Sequence, residues 1–265
     1  MPCEARRSSP STASDNGLCF DRGGSGEPLL VCLHGLGANA RVWQPFLAQA
    51  GAKWPGRWLA PDLPGHGGSE RSADYSVASY ASRLAPLIRR HAAGGKVTLL
   101  GHSLGGVIAL ELASARHDVG PSGVFAVGIK IDWSDSEIEQ MAALSQRVAK
   151  TFESKEDALV FYGRQSGLGE IQGGSALLER AVVEAGEGWR TAVDMRAYAV
   201  TRPEVGALLA AATCPAYFAR GADDPMVSRS QLLRHDPRSA DIAGGGHNAM
   251  VDAPENIWDW LSARR

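Results

Sequence analysis

Val97-Thr98-Leu99-Leu100-Gly101-His102-Ser103-Leu104-Gly105-Gly106-Val107-Ile108-Ala109-Leu110 joins an apolar, β-branched run to a run with helical spacing, and a serine stands between them. The run ending at Leu100 reads as a buried strand and the run from Gly106 as a helix. Gly101 and Gly105 lie two residues either side of Ser103, the Gly-x-Ser-x-Gly spacing of a sharp strand-to-helix turn that pushes a hydroxyl out beyond the sheet edge. Small neighbours are needed because so tight a turn leaves no room for side chains, and the serine itself is expected in a strained conformation. The Leu104 amide then points from the helix start toward any negative oxygen forming beside the hydroxyl.

A serine hydroxyl becomes nucleophilic only when a base takes its proton and a third group orients that base. Downstream, Ala216-Tyr217-Phe218-Ala219-Arg220 reads as a strand and leads into Gly221-Ala222-Asp223-Asp224-Pro225-Met226-Val227, which offers a carboxylate at Asp223 or Asp224. A short strand at Ala240-Asp241-Ile242-Ala243 is followed by Gly244-Gly245-Gly246-His247, a pliant loop able to return an imidazole over the sheet edge. Asp132, soon after the strand-like Gly123-Val124-Phe125-Ala126-Val127, is a second place for the acid, though a solvated loop aspartate is its plainer reading.

From about Leu18 onward the chain resembles the α/β-hydrolase superfamily. The resemblance rests on the serine turn, on Leu29-Leu30-Val31-Cys32-Leu33-His34-Gly35-Leu36-Gly37, on Asp62-Leu63-Pro64-Gly65-His66-Gly67-Gly68-Ser69, and on Gly246-His247 with Pro254-Glu255 behind it. It implies Ser103 as nucleophile, His247 as base and Asp224 as orienting acid, the last because Gly221, Asp224 and Val227 fit the family's Gly-x-x-Asp-x-x-Val pattern. It also implies an oxyanion hole from the amides of Leu36 and Leu104. His34 and Trp43 are candidates for a substrate pocket; the plainer readings are a loop-organising histidine and a core aromatic. Within such a fold, carboxylic ester hydrolysis is the first expectation, with thioester or carbon–carbon bond hydrolysis on the same residues as alternatives. A non-catalytic ligand receptor on the same scaffold is the alternative of another kind. No cofactor is required, and no histidine or cysteine spacing suggests a metal.

The 265 residues suffice for one α/β domain with an insertion. Strand-like runs at Leu29 to Leu33, Arg57 to Pro61, Val97 to Leu100, Gly123 to Val127, Ala216 to Arg220 and Ala240 to Ala243 alternate with helical patterns, which predicts a mostly parallel sheet covered by helices on both faces. Residues 18–127 and 203–265 form the expected core. Residues 128–202 read as an inserted helical cap: Ser134-Asp135-Ser136-Glu137 has capping-box spacing, Ser154 precedes a second helix, and helices are expected at 176–185 and 189–199 with Gly186-Glu187-Gly188 between them. Residues 1–17, rich in serine, read as a disordered tail. A formal charge of −2 gives no basic footprint for nucleic acid, and no apolar stretch is long enough to span a membrane. Four widely spaced cysteines and the absence of a secretory pattern fit a reduced, cytoplasmic protein acting on a small ester-like substrate.

Overall fold

The computed structural model describes residues 11–51, 53–169 and 175–264. The described residues begin with strands β1 (Ser11–Asp15), β2 (Leu18–Gly24) and β3 (Leu29–Leu33), then helix α1 (Gln44–Ala50), β4 (Arg57–Pro61), α2 (Val77–Ala92), β5 (Val97–His102), α3 (Leu104–Leu112) and β6 (Gly123–Val127). An insertion follows, with helices α4 (Asp135–Ser145) and α5 (Lys155–Gln165) and a hairpin of β7 (Val182–Ala185) and β8 (Gly188–Thr191). The core resumes with α6 (Val205–Ala211), β9 (Ala216–Gly221), α7 (Arg229–Leu233), β10 (Ala240–Ile242), α8 (Ala249–Asp252) and α9 (Pro254–Ser262).

Eight strands make one sheet in the order β1-β2-β4-β3-β5-β6-β9-β10, parallel from β4 onward and antiparallel at the β1 and β2 edge. Both faces are covered, and the pleat explains why the strands read as unbroken apolar runs. Leu29, Val31, Leu33, Leu99, Val124 and Ala126 join α2, α3 and α6 in one core. Leu30, Cys32, Leu100, Phe125 and Val127, their neighbours in sequence, join α1, α8 and α9 in the other. After β3 the chain crosses to β4 on one side and then returns to β5 on the other, so the crevice at the carboxyl ends of β3 and β5 is the sheet's switch point, where ligands of open α/β sheets bind. Among the described residues no helix is long and apolar enough to cross a membrane.

Two sequence expectations are corrected. Residues 11–15 of the expected disordered tail form β1, because Asn16-Gly17, both at positive φ, makes a two-residue hairpin turn that pairs Asp15 with Leu18 and Ser11 with Arg22. Residues 1–10 lie outside the described residues. In the insertion, α4 and α5 start at the expected serine caps, and Ser134 with Glu137 makes the full capping box. The expected helices at 176–185 and 189–199 are instead short 3₁₀ turns at Ala176–Leu178 and Met195–Tyr198 flanking the β7–β8 hairpin. Gly186 and Glu187 form its turn, with positive φ only at Gly186, and Phe152 closes the open side by exchanging two backbone hydrogen bonds with Trp189 at 2.7 and 2.8 Å.

Candidate active site

Ser103 follows β5 directly and adopts φ 50° and ψ −119°, a conformation disfavoured for any residue with a Cβ. The turn is held by the Ser103 N–H donating to Val127 O at 2.8 Å and by Gly106 N–H donating to Ser103 O at 2.9 Å. The flanking glycines are obligatory: a Cβ on Gly101 would lie 2.3 Å from Gly105 O, and one on Gly105 would lie 2.2 Å from Leu33 O. The Leu104 amide is at the first position of α3, where no intrahelical carbonyl is available to it.

The register of the sheet places the other groups beside this turn. Leu33 pairs with Gly101, so the Gly35-Leu36 backbone runs past Ser103; a Cβ on Gly35 would sit 3.2 Å from Ser103 Cβ. Leu36 packs its side chain into an apolar cluster with Val193, Ala197 and Tyr198 of the insertion. Asp224 lies three residues after β9 and His247 five residues after β10. His247 Nδ1–H donates to Asp224 Oδ2 at 2.9 Å, and the carboxylate also accepts the Met226 N–H at 2.8 Å. Burial pushes the Asp224 carboxyl up, but the hydrogen bond and charge of His247 and the amides of Met226 and Val227 outweigh it and hold the group below its ordinary value. Asp223 is exposed, whereas Asp224 is buried and holds the bond to His247. Asp132 points away, paired on the surface with Arg234 at 2.5 Å.

His102, adjacent to Ser103, has a part that sequence reading did not find. Its Nε2–H donates to the carbonyl oxygen of His247 at 2.9 Å, and the two rings meet edge to face with centroids 4.7 Å apart. The loop bearing His247 is thereby tied to the serine turn. Burial first, then the His247 ring, lower the His102 pKa to about 3, so it is a neutral donor. Asn248 makes a second tie, donating from Nδ2 to Ser166 O and Gly167 O at the end of α5. Among the described residues no hydrogen bond joins Ser103 Oγ to His247; catalytic hydrogen bonds are often long before substrate binds and tighten in the complex.

The two pocket candidates fall elsewhere. His34 is wholly buried, its Nε2 accepting the Leu63 N–H and its Nδ1–H donating to Gly35 O, both at 2.8 Å, so it braces the turn from behind. Trp43 is also wholly buried, in the core beneath α1 against Phe46. Asp62, Asp21 and Arg180 form a charged joint that the sequence did not reveal. Arg180 donates Nε–H to Asp62 Oδ2 at 2.7 Å and reaches Asp21 Oδ1 and Oδ2 at 3.2 and 3.1 Å, joining the insertion to the sheet across more than a hundred residues.

A profile of the alpha/beta hydrolase family matches residues 30–260, and the chain belongs to that family. Over 100 residues it is 38% identical to the esterase Rv0045c of Mycobacterium tuberculosis, and over 96 residues 38% identical to the lipase LipV of the same organism. Those alignments cover 37% and 36% of this chain and only 32% and 35% of the relatives, so the chain matches about a third of their length. The solved structure of the esterase superimposes with a TM-score of 0.77 at 21% identity, covering 96% of this chain and 91% of the esterase.

Proposed function

We propose that the protein is a serine hydrolase cleaving carboxylic esters of small molecules through an acyl-enzyme intermediate. The observation that carries this reading is the 2.9 Å Asp224–His247 bond, on the loops after β9 and β10, tied through His102 to the strained serine turn after β5. Similarity to an esterase and a lipase agrees with it.

Ser103 Oγ attacks the ester carbonyl carbon while His247 Nε2 accepts the hydroxyl proton. Asp224, which can only accept, keeps the proton on Nδ1 and so leaves Nε2 free as a base. The carbonyl oxygen takes up the negative charge between the amides of Leu36 and Leu104, each such donor contributing about 3–4 kcal/mol to the transition state. Collapse breaks the bond to the alkoxy group, which leaves as the alcohol with the proton from His247. A water then attacks the acyl carbon, gives its proton to His247 and releases the acid, restoring Ser103.

A fluorophosphonate probe followed by peptide mapping tests the nucleophile. The expected result is covalent label on Ser103, lost in His247→Ala. Well-folded protein that takes no label favours a ligand receptor and overturns the proposal. Rates on p-nitrophenyl esters, thioesters and ring-fission diketones test the bond cleaved; turnover confined to thioesters or diketones would overturn the ester assignment while leaving Ser103 as nucleophile.

A further inference from the structure

Arg71, in the loop after β4, and residues of the insertion line a cleft of about 480 Å³ whose charged lining is four arginines, Arg71, Arg147, Arg190 and Arg196, and one acid, Asp194. Asp194 is already occupied. It accepts Nη2–H from Arg196 at 2.6 Å, the Arg196 backbone N–H at 3.1 Å and the Tyr75 hydroxyl at 2.7 Å, while Arg71 lies 3.9 Å away. Arg147 is exposed and makes no side-chain hydrogen bond or ion pair among the described residues. Among the described residues the Arg190 side chain donates only to Thr191 O, at 2.9 Å. Burial first and the charge of Arg71 second act against the cationic form of Arg190, and the charge of Asp194 acts for it. Val148, the most exposed large apolar side chain described, stands on the same rim, and Val193 and Met195 form an apolar wall.

Guanidinium groups in excess over carboxylates around a concavity recognise oxyanions, because each presents a planar fork of N–H donors. A single carboxylate fills one fork and neutralises one charge. Four arginines around the single carboxylate of Asp194 leave an excess of positive charge that calls for a ligand with several charges and many acceptor oxygens, and the volume suits a small molecule. We infer that this cleft binds a phosphate-bearing small molecule, its phosphate oxygens held by Arg71, Arg147 and Arg190 and its apolar part lying on Val193 and Met195. Val193 and Met195 also pack in the cluster that contains Leu36, so the cleft is one layer of side chains from the turn beside Ser103. The binding site itself does not depend on the ester-hydrolase reading.

Pyrophosphate is the probe, titrated calorimetrically into the full chain with succinate as the carboxylate comparator. Saturable one-site pyrophosphate binding is expected, at least tenfold tighter than succinate and weakening as salt rises. Ser103→Ala should bind unchanged, and the Arg147→Ala/Arg190→Ala pair should lose at least tenfold with its thermal midpoint preserved. Absence of saturable binding to the wild type, equal affinity for succinate, or undiminished binding by a folded Arg147→Ala single variant and double variant would overturn the inference. Pyrophosphate that competes with ester hydrolysis marks a phosphate on the substrate itself. Pyrophosphate that binds without altering hydrolysis marks a separate ligand, and either pattern upholds the site.

Discussion

Acidification is the perturbation for which the structure gives the most definite stability change. His34, His66 and His102 are all but fully buried and each is held in one neutral form. His34 Nε2 accepts the Leu63 N–H, so a proton there would break that bond; His66 Nε2 and His102 Nδ1 are buried without partners, so a proton on either would add an unsatisfied charge. Burial lowers the pKa of His66 to about 4 and of His102 to about 3, and that of His34 well below its ordinary value. The sign follows from which state takes the protons. Above the unfolded value of about 6.5 neither state binds them and stability is unaffected; below it the unfolded chain does and the folded chain does not, so stability falls as pH drops from about 6.5 toward 4 and 3. At pH 5 His66 and His102 have each crossed about 1.5 pH units at 1.36 kcal/mol per unit, which is about 2 kcal/mol each and about 4 kcal/mol for the two, and His34 acts in the same direction. That is a large part of the whole stability of a typical domain. With a urea m-value of about 3 kcal/mol/M, the denaturation midpoint should move down by at least about 1 M between pH 7 and pH 5. His66→Asn, which keeps a donor for Pro64 O but cannot titrate, should remove about 2 kcal/mol of that loss. A midpoint that shifts by less than about 0.5 M would refute the reasoning, because these histidines would then be accessible to protons in the folded state.

Asp224→Asn should leave the fold intact and lower kcat by about 10⁴-fold, since an amide NH₂ facing His247 Nδ1 favours the wrong tautomer; steady-state rates on a p-nitrophenyl ester check it, and a loss under tenfold would remove Asp224 from its role. His102→Phe, which deletes the donor to the His247 carbonyl, should lower kcat more than it raises KM, while the Asp224 bond is read by the downfield Nδ1 proton resonance. Arg180→Ala should cost about 3–5 kcal/mol in chemical denaturation because it leaves Asp62 buried without its cation, while Asp21 keeps Arg41 at 3.3 Å. Arg180→Gly should cost about 1 kcal/mol less than the alanine variant, because Arg180 sits at φ 59°, where a side chain is strained.

The core was legible because its signals are local or periodic. Strands buried on both faces must be apolar at every position, and Leu29 to Leu33 shows why: alternate residues serve opposite cores. The serine turn was legible because Gly101 and Gly105 abut backbone oxygens and no other residue fits. The insertion was less so. Val182 to Ala185 and Trp189 to Thr191 form strands through the Phe152–Trp189 bridge, a contact across more than thirty residues that overrides the helical spacing of Leu177, Leu178 and Ala181. Asn16-Gly17 did carry a hairpin signal, hidden by the serine-rich composition around it. His102 was unreadable because its partner is a backbone carbonyl 145 residues away, and carbonyls have no residue type.

These long-range ties share a direction. Arg180 fastens the insertion to Asp62, and Asp62 in turn accepts the N–H groups of Ala40 and Gly68 at 2.8 Å, so one carboxylate holds the turn after β3, the loop after β4 and the insertion together. Tyr75, before α2, donates to Asp194 at the start of the last 3₁₀ turn of the insertion, and Asn248, next to His247, grips the end of α5. Leu36 packs against Val193, Ala197 and Tyr198. The insertion is thus anchored at the proposed oxyanion turn and at the proposed base, and a substitution that loosens it acts on the geometry around Ser103 without touching substrate. Such a change should lower kcat in proportion to the positioning lost, because the proposed chemistry depends on reacting groups being held within a fraction of an ångström.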